Sequence, residues 1–273
     1  MGRRIGIIAG SGKFVPLAVS EMTRKGLVCI VVGIEGEASP RLENEAEVFS
    51  WLRPGEAAGV IRFFRKHGVS EVMMLGKVRP AVFLRQGLFG GLTRKIWDGL
   101  EDKSPTGLLK AAVVFLEASG LRVLNPVSVL KPYFCEAGVL TKKRPTKAQF
   151  EAIDFGLKTA RKVADLDIGQ TLVIKDRLVV AVEGAEGTDE TISRGFRIAG
   201  SGCVVVKAGR TSQDMRLDVP AVGLDTVRSL IRAGSAALAL EARKVAFFQR
   251  DKAVSLANAN GITIVVRELK TSR

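Results

Sequence analysis

The sequence predicts an α/β protein of two domains, and three observations carry that reading. Short β-rich runs alternate with helical stretches through the first half, the pattern of a doubly wound sheet. Residues 27–32 are apolar throughout, as expected of a strand buried on both faces of a parallel sheet. Between Tyr133 and Lys147 the periodicity breaks, and Lys142-Lys143-Arg144-Pro145 is basic and proline-punctuated, as linkers are. The chain has 273 residues, enough for one large or two ordinary cores. A Rossmann-like domain with a mainly parallel sheet is therefore expected over 1–141, and a second α/β domain over 142–273.

The elements follow in order. Ile5, Ile7 and Ile8 mark a strand over 3–9, followed by a glycine turn and a helix over 14–25. After the strand at 27–32, Val60, Ile61, Phe63 and Phe64 recur at helical spacing within 55–67. Arg65-Lys66-His67-Gly68 reads as the last turn of that helix, with cations on its negative end and glycine as the stop. A strand is expected at 71–75, then helices near 92–100 and at 106–119, the latter stopped by Gly120. Thr146 is placed to cap a long amphipathic helix reaching about residue 164. Strands at 171–174 and 178–182, a helix over 188–198 and a strand at 203–207 come next. A helix over 224–233, strand-like runs at 236–240 and 245–248, a helix at 251–260 and a strand at 262–266 complete the pattern.

Composition narrows the chemistry. Three scattered cysteines, Cys29, Cys135 and Cys203, form no C-x-x-C pair, so neither a disulfide framework nor a cysteine zinc site is expected. His67 is the single histidine, which removes Ser-His-Asp triads and H-E-x-x-H zinc sites. Carboxylates, Lys, Arg and a hard metal ion are left. No apolar run approaches the ~20 residues that span a bilayer, and the apolar start is too short for a signal peptide, so a cytoplasmic location is expected. The formal charge is +14, from 42 Lys and Arg against 28 Asp and Glu, which favours polyanionic or phosphorylated partners. Aromatic residues make up only 6%, too few to supply stacking platforms, and nucleic acid is not expected as a partner.

Four segments carry candidate chemistry. Gly6-Ile7-Ile8-Ala9-Gly10-Ser11-Gly12-Lys13 joins a strand, a glycine turn and a helix start, where backbone N–H groups can approach phosphate. Its spacing is neither the dinucleotide fingerprint nor a P-loop, and a tight βα turn would look the same. Gly76-Lys77-Val78-Arg79-Pro80 follows a strand, where open sheets bind ligands, and its two cations suit a diphosphate. In the run 181–190, Thr188 reads as a helix cap with Asp189 and Glu190 in the first turn. Glu183, at the end of a buried strand, needs an Arg, a Lys or a divalent ion as partner. In Gln213-Asp214-Met215-Arg216-Leu217-Asp218-Val219-Pro220, strand alternation puts Asp214, Arg216 and Asp218 on one face. Two carboxylates flanking an Arg could hold Mg²⁺ and a phosphate, and an ion-pair ladder would read alike.

In this order, these pieces resemble the LpxI-type UDP-2,3-diacylglucosamine pyrophosphatases of lipid A biosynthesis. The resemblance rests on the two glycine turns, Asp167-Ile168-Gly169-Gln170, the acid run from Val180 to Asp189, the 213–220 segment, and Ala233-Gly234 leading to Glu241-Ala242. It implies a cytoplasmic, Mg²⁺-dependent, dimeric hydrolase of two α/β domains that releases UMP and 2,3-diacylglucosamine 1-phosphate. It further implies Asp218 as the catalytic acid, kept ionised beside Arg216. Glu183 and Asp189 join Asp218 in metal ligation and water activation. Phosphate and substrate contacts fall to Gly10, Ser11, Gly12, Lys77, Arg79, Gln170, Thr188, Lys207 and Arg216. An acylated substrate resides in the inner membrane, so the excess positive charge would serve peripheral contact with its anionic face. Val82-Phe83-Leu84 and Leu88-Phe89 are candidates for an acyl groove.

Two departures from the family pattern stand out. The first turn carries one residue more before Pro16, and Lys103-Ser104-Pro105-Thr106-Gly107 replaces an expected Asp-Asp pair, leaving Asp102 as the nearby acid. The competing readings are a hydrolase of a non-lipid nucleotide-sugar diphosphate, a nucleotide-dependent oxidoreductase and a non-enzymatic nucleotide- or polyanion-binding protein.

Overall fold

A computed structural model describes residues 2–12, 14–77, 98–102 and 104–269. The expected helix at 92–100 (residues 92–97), Arg79 and the candidate acyl-groove segments lie outside them. The chain divides into two units: Met1–Leu130 with Asp214–Val219, and Lys131–Gln213 with Pro220–Arg273.

The first unit holds a parallel sheet of β1 (Arg4–Ala9), β2 (Val28–Ile34), β3 (Val48–Leu52), β4 (Glu71–Leu75) and β5 (Arg122–Val123). Its order is β3-β2-β1-β4-β5, so the connections reverse direction between β1 and β4. Helices α1 (Phe14–Arg24), α2 (Leu42–Glu45), α3 (Ala57–Lys66), α4 (Pro105–Ala118) and α5 (Val127–Leu130) complete its described elements. Sequence reading misses α2, α5 and the strands β3 and β5. Ser50 interrupts the apolar run of β3, and β5 has two residues. The core gathers Ile30, Val32, Phe64, Val72, Leu116 and Leu121 between sheet and helices, and Leu217 joins it from far along the chain. His67 ends α3 as expected: its Nδ1 lies 2.9 Å from the Phe63 carbonyl oxygen, its ring packs on Phe63, and Gly68 takes a φ of 66°.

The second unit centres on a six-stranded mixed sheet of order β6-β13-β11-β9-β7-β8. These are β6 (Gly138–Val139), β7 (Thr171–Lys175), β8 (Leu178–Val182), β9 (Val204–Lys207), β11 (Ala237–Glu241) and β13 (Thr263–Arg267). A separate parallel pair joins β10 (Ala221–Val222) to β12 (Ala246–Phe247). Helix α6 (Lys147–Asp165) starts in a capping box, with Thr146 Oγ1 accepting from Gln149 N and Gln149 Oε1 from Thr146 N. Its Ala152, Ile153, Leu157 and Ala160 pack on one face of the sheet. The other core joins Val173, Val205, Leu238 and Ile264 to Ile192 of α7 (Thr188–Ala199), Val227 of α8 (Leu224–Arg232) and Ala253 of α9 (Arg250–Ala259).

Candidate functional site

Antiparallel pairing assembles a buried polar cluster in the second unit. Strands β8 and β9 both run toward the end of the sheet where β7 begins, and register sets Thr171 opposite Lys207. Glu183 follows β8 directly, so three distant segments meet. Lys207 is 2% exposed and Glu183 3%, and burying either charge unmatched would cost several kcal/mol. Lys207 Nζ donates to Thr171 Oγ1 at 2.9 Å and Thr188 Oγ1 at 2.8 Å, and lies 3.5 Å from Glu183 Oε2. Thr188 Oγ1 in turn donates to Glu183 Oε1 at 2.8 Å, and the Gln170 N–H donates to Oε2 at 3.2 Å. The partner that the sequence demanded for Glu183 is therefore Lys207.

Thr188 is the first helical residue of α7, not its cap. Gly187 takes the cap position with a φ of 87°, in the left-handed region that glycine tolerates best. That frees the Thr188 hydroxyl for Lys207 and Glu183. Asp189 and Glu190 are exposed in the first turn, where they complement the helix dipole. Glu186 closes the loop, pairing with Arg194 and accepting from Gly184 N at 3.1 Å, and the Arg194 hydrogen bond holds its carboxyl low.

Gly169 owes its identity to this cluster. A Cβ there would sit 1.9 Å from the Glu183 carbonyl oxygen. Gly169→Ala should push the 183–188 turn away and cost at least about 1–3 kcal/mol. An unchanged urea midpoint would mean that the turn gives way freely.

The segment Asp214–Val219 belongs to the first unit, although both of its flanks belong to the second. It is a turn over 215–217, where an extended strand was expected, closed by Leu217 N–H to Asp214 O at 3.1 Å. The predicted two faces survive: Met215, Leu217 and Val219 are buried, while Asp214, Arg216 and Asp218 are half-exposed. Asp214 clasps Arg216, accepting from Nε at 3.1 Å and Nη2 at 2.9 Å, and Glu117 Oε1 lies 3.5 Å from Nη1. The Arg216 hydrogen bond holds the Asp214 carboxyl below its ordinary value. Sequence reading misses Glu117, which is 99 residues away from Arg216.

The two glycine turns meet at the switch between β1 and β4, where open sheets bind ligands. They are zipped together. Ser11 N donates to Lys77 O at 2.6 Å, Lys77 N to Ser11 O at 2.8 Å, and Ser11 Oγ to Lys77 O at 2.8 Å. Gly10 N donates to Leu75 O at 2.8 Å. A Cβ on Gly10 would lie 2.4 Å from Lys77 O, and one on Gly76 2.5 Å from Ser11 O. Close approach of two backbones thus explains these glycines. Gly12 and Lys77 are the exposed parts of the pair.

Ser104 caps the start of α4. Ser104 Oγ accepts from Gly107 N at 3.0 Å, and Asp102 Oδ1 accepts from Ser104 N at 2.9 Å. Asp102 is thereby turned toward the helix start, and its bonds to Ser104 lower its carboxyl.

Of the carboxylates expected to share a metal, Glu183 and Asp189 lie in the second unit and Asp218 in the first. Among the described residues no three His, Cys, Asp or Glu side chains gather as a metal cage. Mg²⁺ does not require one, since one or two carboxylates with substrate phosphates and water suffice. No described helix is long and apolar enough to cross a membrane.

Comparison with known proteins covers nearly the whole chain. Residues 4–133 match the LpxI N-terminal domain and residues 136–265 the LpxI C-terminal domain. The chain is also 27% identical over 278 aligned positions to the UDP-2,3-diacylglucosamine pyrophosphatase LpxI of Caulobacter vibrioides, covering 96% of this chain and 97% of that protein.

Proposed function

This chain belongs to the LpxI family, and on that premise we propose that it hydrolyses the diphosphate of UDP-2,3-diacylglucosamine to UMP and 2,3-diacylglucosamine 1-phosphate. The match of both domains in order carries the reading, supported by the likeness to the Caulobacter enzyme over nearly the whole of both chains. Water adds to the sugar-side phosphorus, the bridging oxygen leaves with UMP, and the water proton passes to a carboxylate. Asp218 is the group assigned to orient that water and take the proton. It sits on a turn whose alternate residues are buried, which fixes its direction. Arg216, steadied by Asp214 and Glu117, is assigned to the diphosphate as a fixed cation. Lys77 and Gly12, exposed at the switch point, are assigned to the nucleotide phosphate. Glu183, Lys207, Gln170 and Thr188 are read as holding the turn that presents Asp189 on the first turn of α7.

Mg²⁺ supplies Lewis-acid polarisation of the diphosphate when bound. Asp218 is the residue assigned to hold it together with the substrate phosphates. The net charge of +14 suits contact with an anionic membrane surface, at about 1 kcal/mol per nearby cation, and a cytoplasmic homodimer is the proposed form.

The test is UMP release from UDP-2,3-diacylglucosamine in mixed micelles, with Mg²⁺ or with chelator, alongside UDP-N-acetylglucosamine. Release that needs both Mg²⁺ and the acyl chains is expected. Equal release from both sugars would replace the lipid reading with a broader nucleotide-sugar hydrolase, and release from neither would overturn the hydrolase.

A further inference from the structure

The stretch 208–213 joins the last sheet residue of β9 to the segment that carries Arg216 and Asp218, and almost none of its backbone pairing comes from a sheet. Gly209 N donates to Glu241 Oε2 at 3.1 Å. Arg210 N donates to Gln213 Oε1 at 3.0 Å, and the Arg210 guanidinium pairs with Asp167. Asp165 takes Thr211 at two points, from its N–H at 2.7 Å and its hydroxyl at 2.8 Å. Lys244 Nζ donates to the carbonyls of Arg210 at 2.6 Å and Thr211 at 3.0 Å. Glu241, 2% exposed, is itself paired with Arg161 of α6. The holding side chains come from the end of α6, from the turn after it and from the end of β11 and the loop after it. All lie within the second unit.

We propose that Asp165, Asp167, Glu241 and Lys244 are positioning residues, which clamp the 208–213 arm and so order the chain that leads into Arg216 and Asp218. This rests on the assignment of Asp218 above. Three features separate the clamp from ordinary loop packing. Its bonds are charge-assisted, which are roughly twice as strong as neutral ones. They grip consecutive residues 209, 210 and 211 rather than one anchor point. Two of the holding groups are also kept at a cost: burial pushes the Glu241 carboxyl up and the Lys244 ammonium down, against their mutual attraction. The return side is pinned separately, with Ala246 N–H donating to Pro220 O at 2.8 Å.

The experiment compares Asp165→Ala, Lys244→Met and the milder Asp165→Asn with the intact protein, using Asp251→Ala on the exposed Arg250–Asp251 pair as control. Hydrogen exchange is read across 208–219 and across the rest of the second unit, together with kcat and KM for UMP release. Expected are faster exchange confined to 208–219 and kcat lower by about 10- to 100-fold, with KM near that of the intact protein, because small displacements of a reacting group cost that much. Asp165→Asn, which keeps one acceptor for Thr211, should recover part of the loss, and Asp251→Ala should change nothing. Unchanged exchange at 208–219, a rise spread over the whole second unit, or an unaltered kcat would each overturn the clamp. If the intact protein releases no UMP, the substrate reading fails, and the exchange pattern still decides for or against the clamp.

Discussion

Asp218→Asn is expected to lower UMP release by about 10²- to 10⁴-fold, the range for losing a positioned acid–base group. Asn has nearly the same shape but cannot take a proton from water at neutral pH. The fold should not register the change, because the packing of this turn comes from the alternate residues Met215, Leu217 and Val219. The thermal midpoint should therefore stay within about 2 °C, the usual scale of a surface substitution. Turnover and melting measured on one preparation check both halves. Activity above a tenth of the original would remove Asp218 from the chemistry. A large fall in midpoint would mean that its loss of function is structural.

Lys207→Met carries the largest expected effect on stability. It leaves Glu183, 3% exposed, without its ammonium partner, and breaking one side of a buried pair costs about 3–5 kcal/mol. The hydroxyls of Thr171 and Thr188 lose their shared donor as well. A fall in midpoint on the order of 10 °C follows. Replacing both partners, Glu183→Gln with Lys207→Met, should recover much of it, since no buried charge is then unmatched. Calorimetry on the two single variants and the double closes the cycle. Additive losses would show that the two groups do not sense each other, and that Glu183 is held by its other partners, Thr188 and the Gln170 N–H among them.

Much of the architecture was legible in the chain itself. β4 and β8 end at Leu75 and Val182, where their apolar runs stop, because an apolar run marks a strand wherever the sheet has a face to cover. The cap Thr146 and the stop at Gly68 are local hydrogen-bonding facts that neighbouring residues settle among themselves. The two faces of 214–219 were equally readable, since side-chain alternation survives even where the strand becomes a turn. That Glu183 must have a partner followed from its place after an apolar strand, whatever the partner proved to be.

Which groups meet was decided only by tertiary structure. Lys207 reaches Glu183 because β7 runs antiparallel between β8 and β9, and a two-residue period says nothing about which strands lie side by side. Ser11 zips to Lys77 because β1 and β4 are neighbours at the switch point, where Gly10 and Gly76 admit a second backbone. Arg216 finds Glu117, and the 214–219 turn leaves the unit of its own flanks to bury Leu217 in the other core. Local patterns fix what a segment must bury and what it must bond. The partners come from long-range packing, whose free energy depends on residues far apart in the chain and so leaves no periodic trace in either segment.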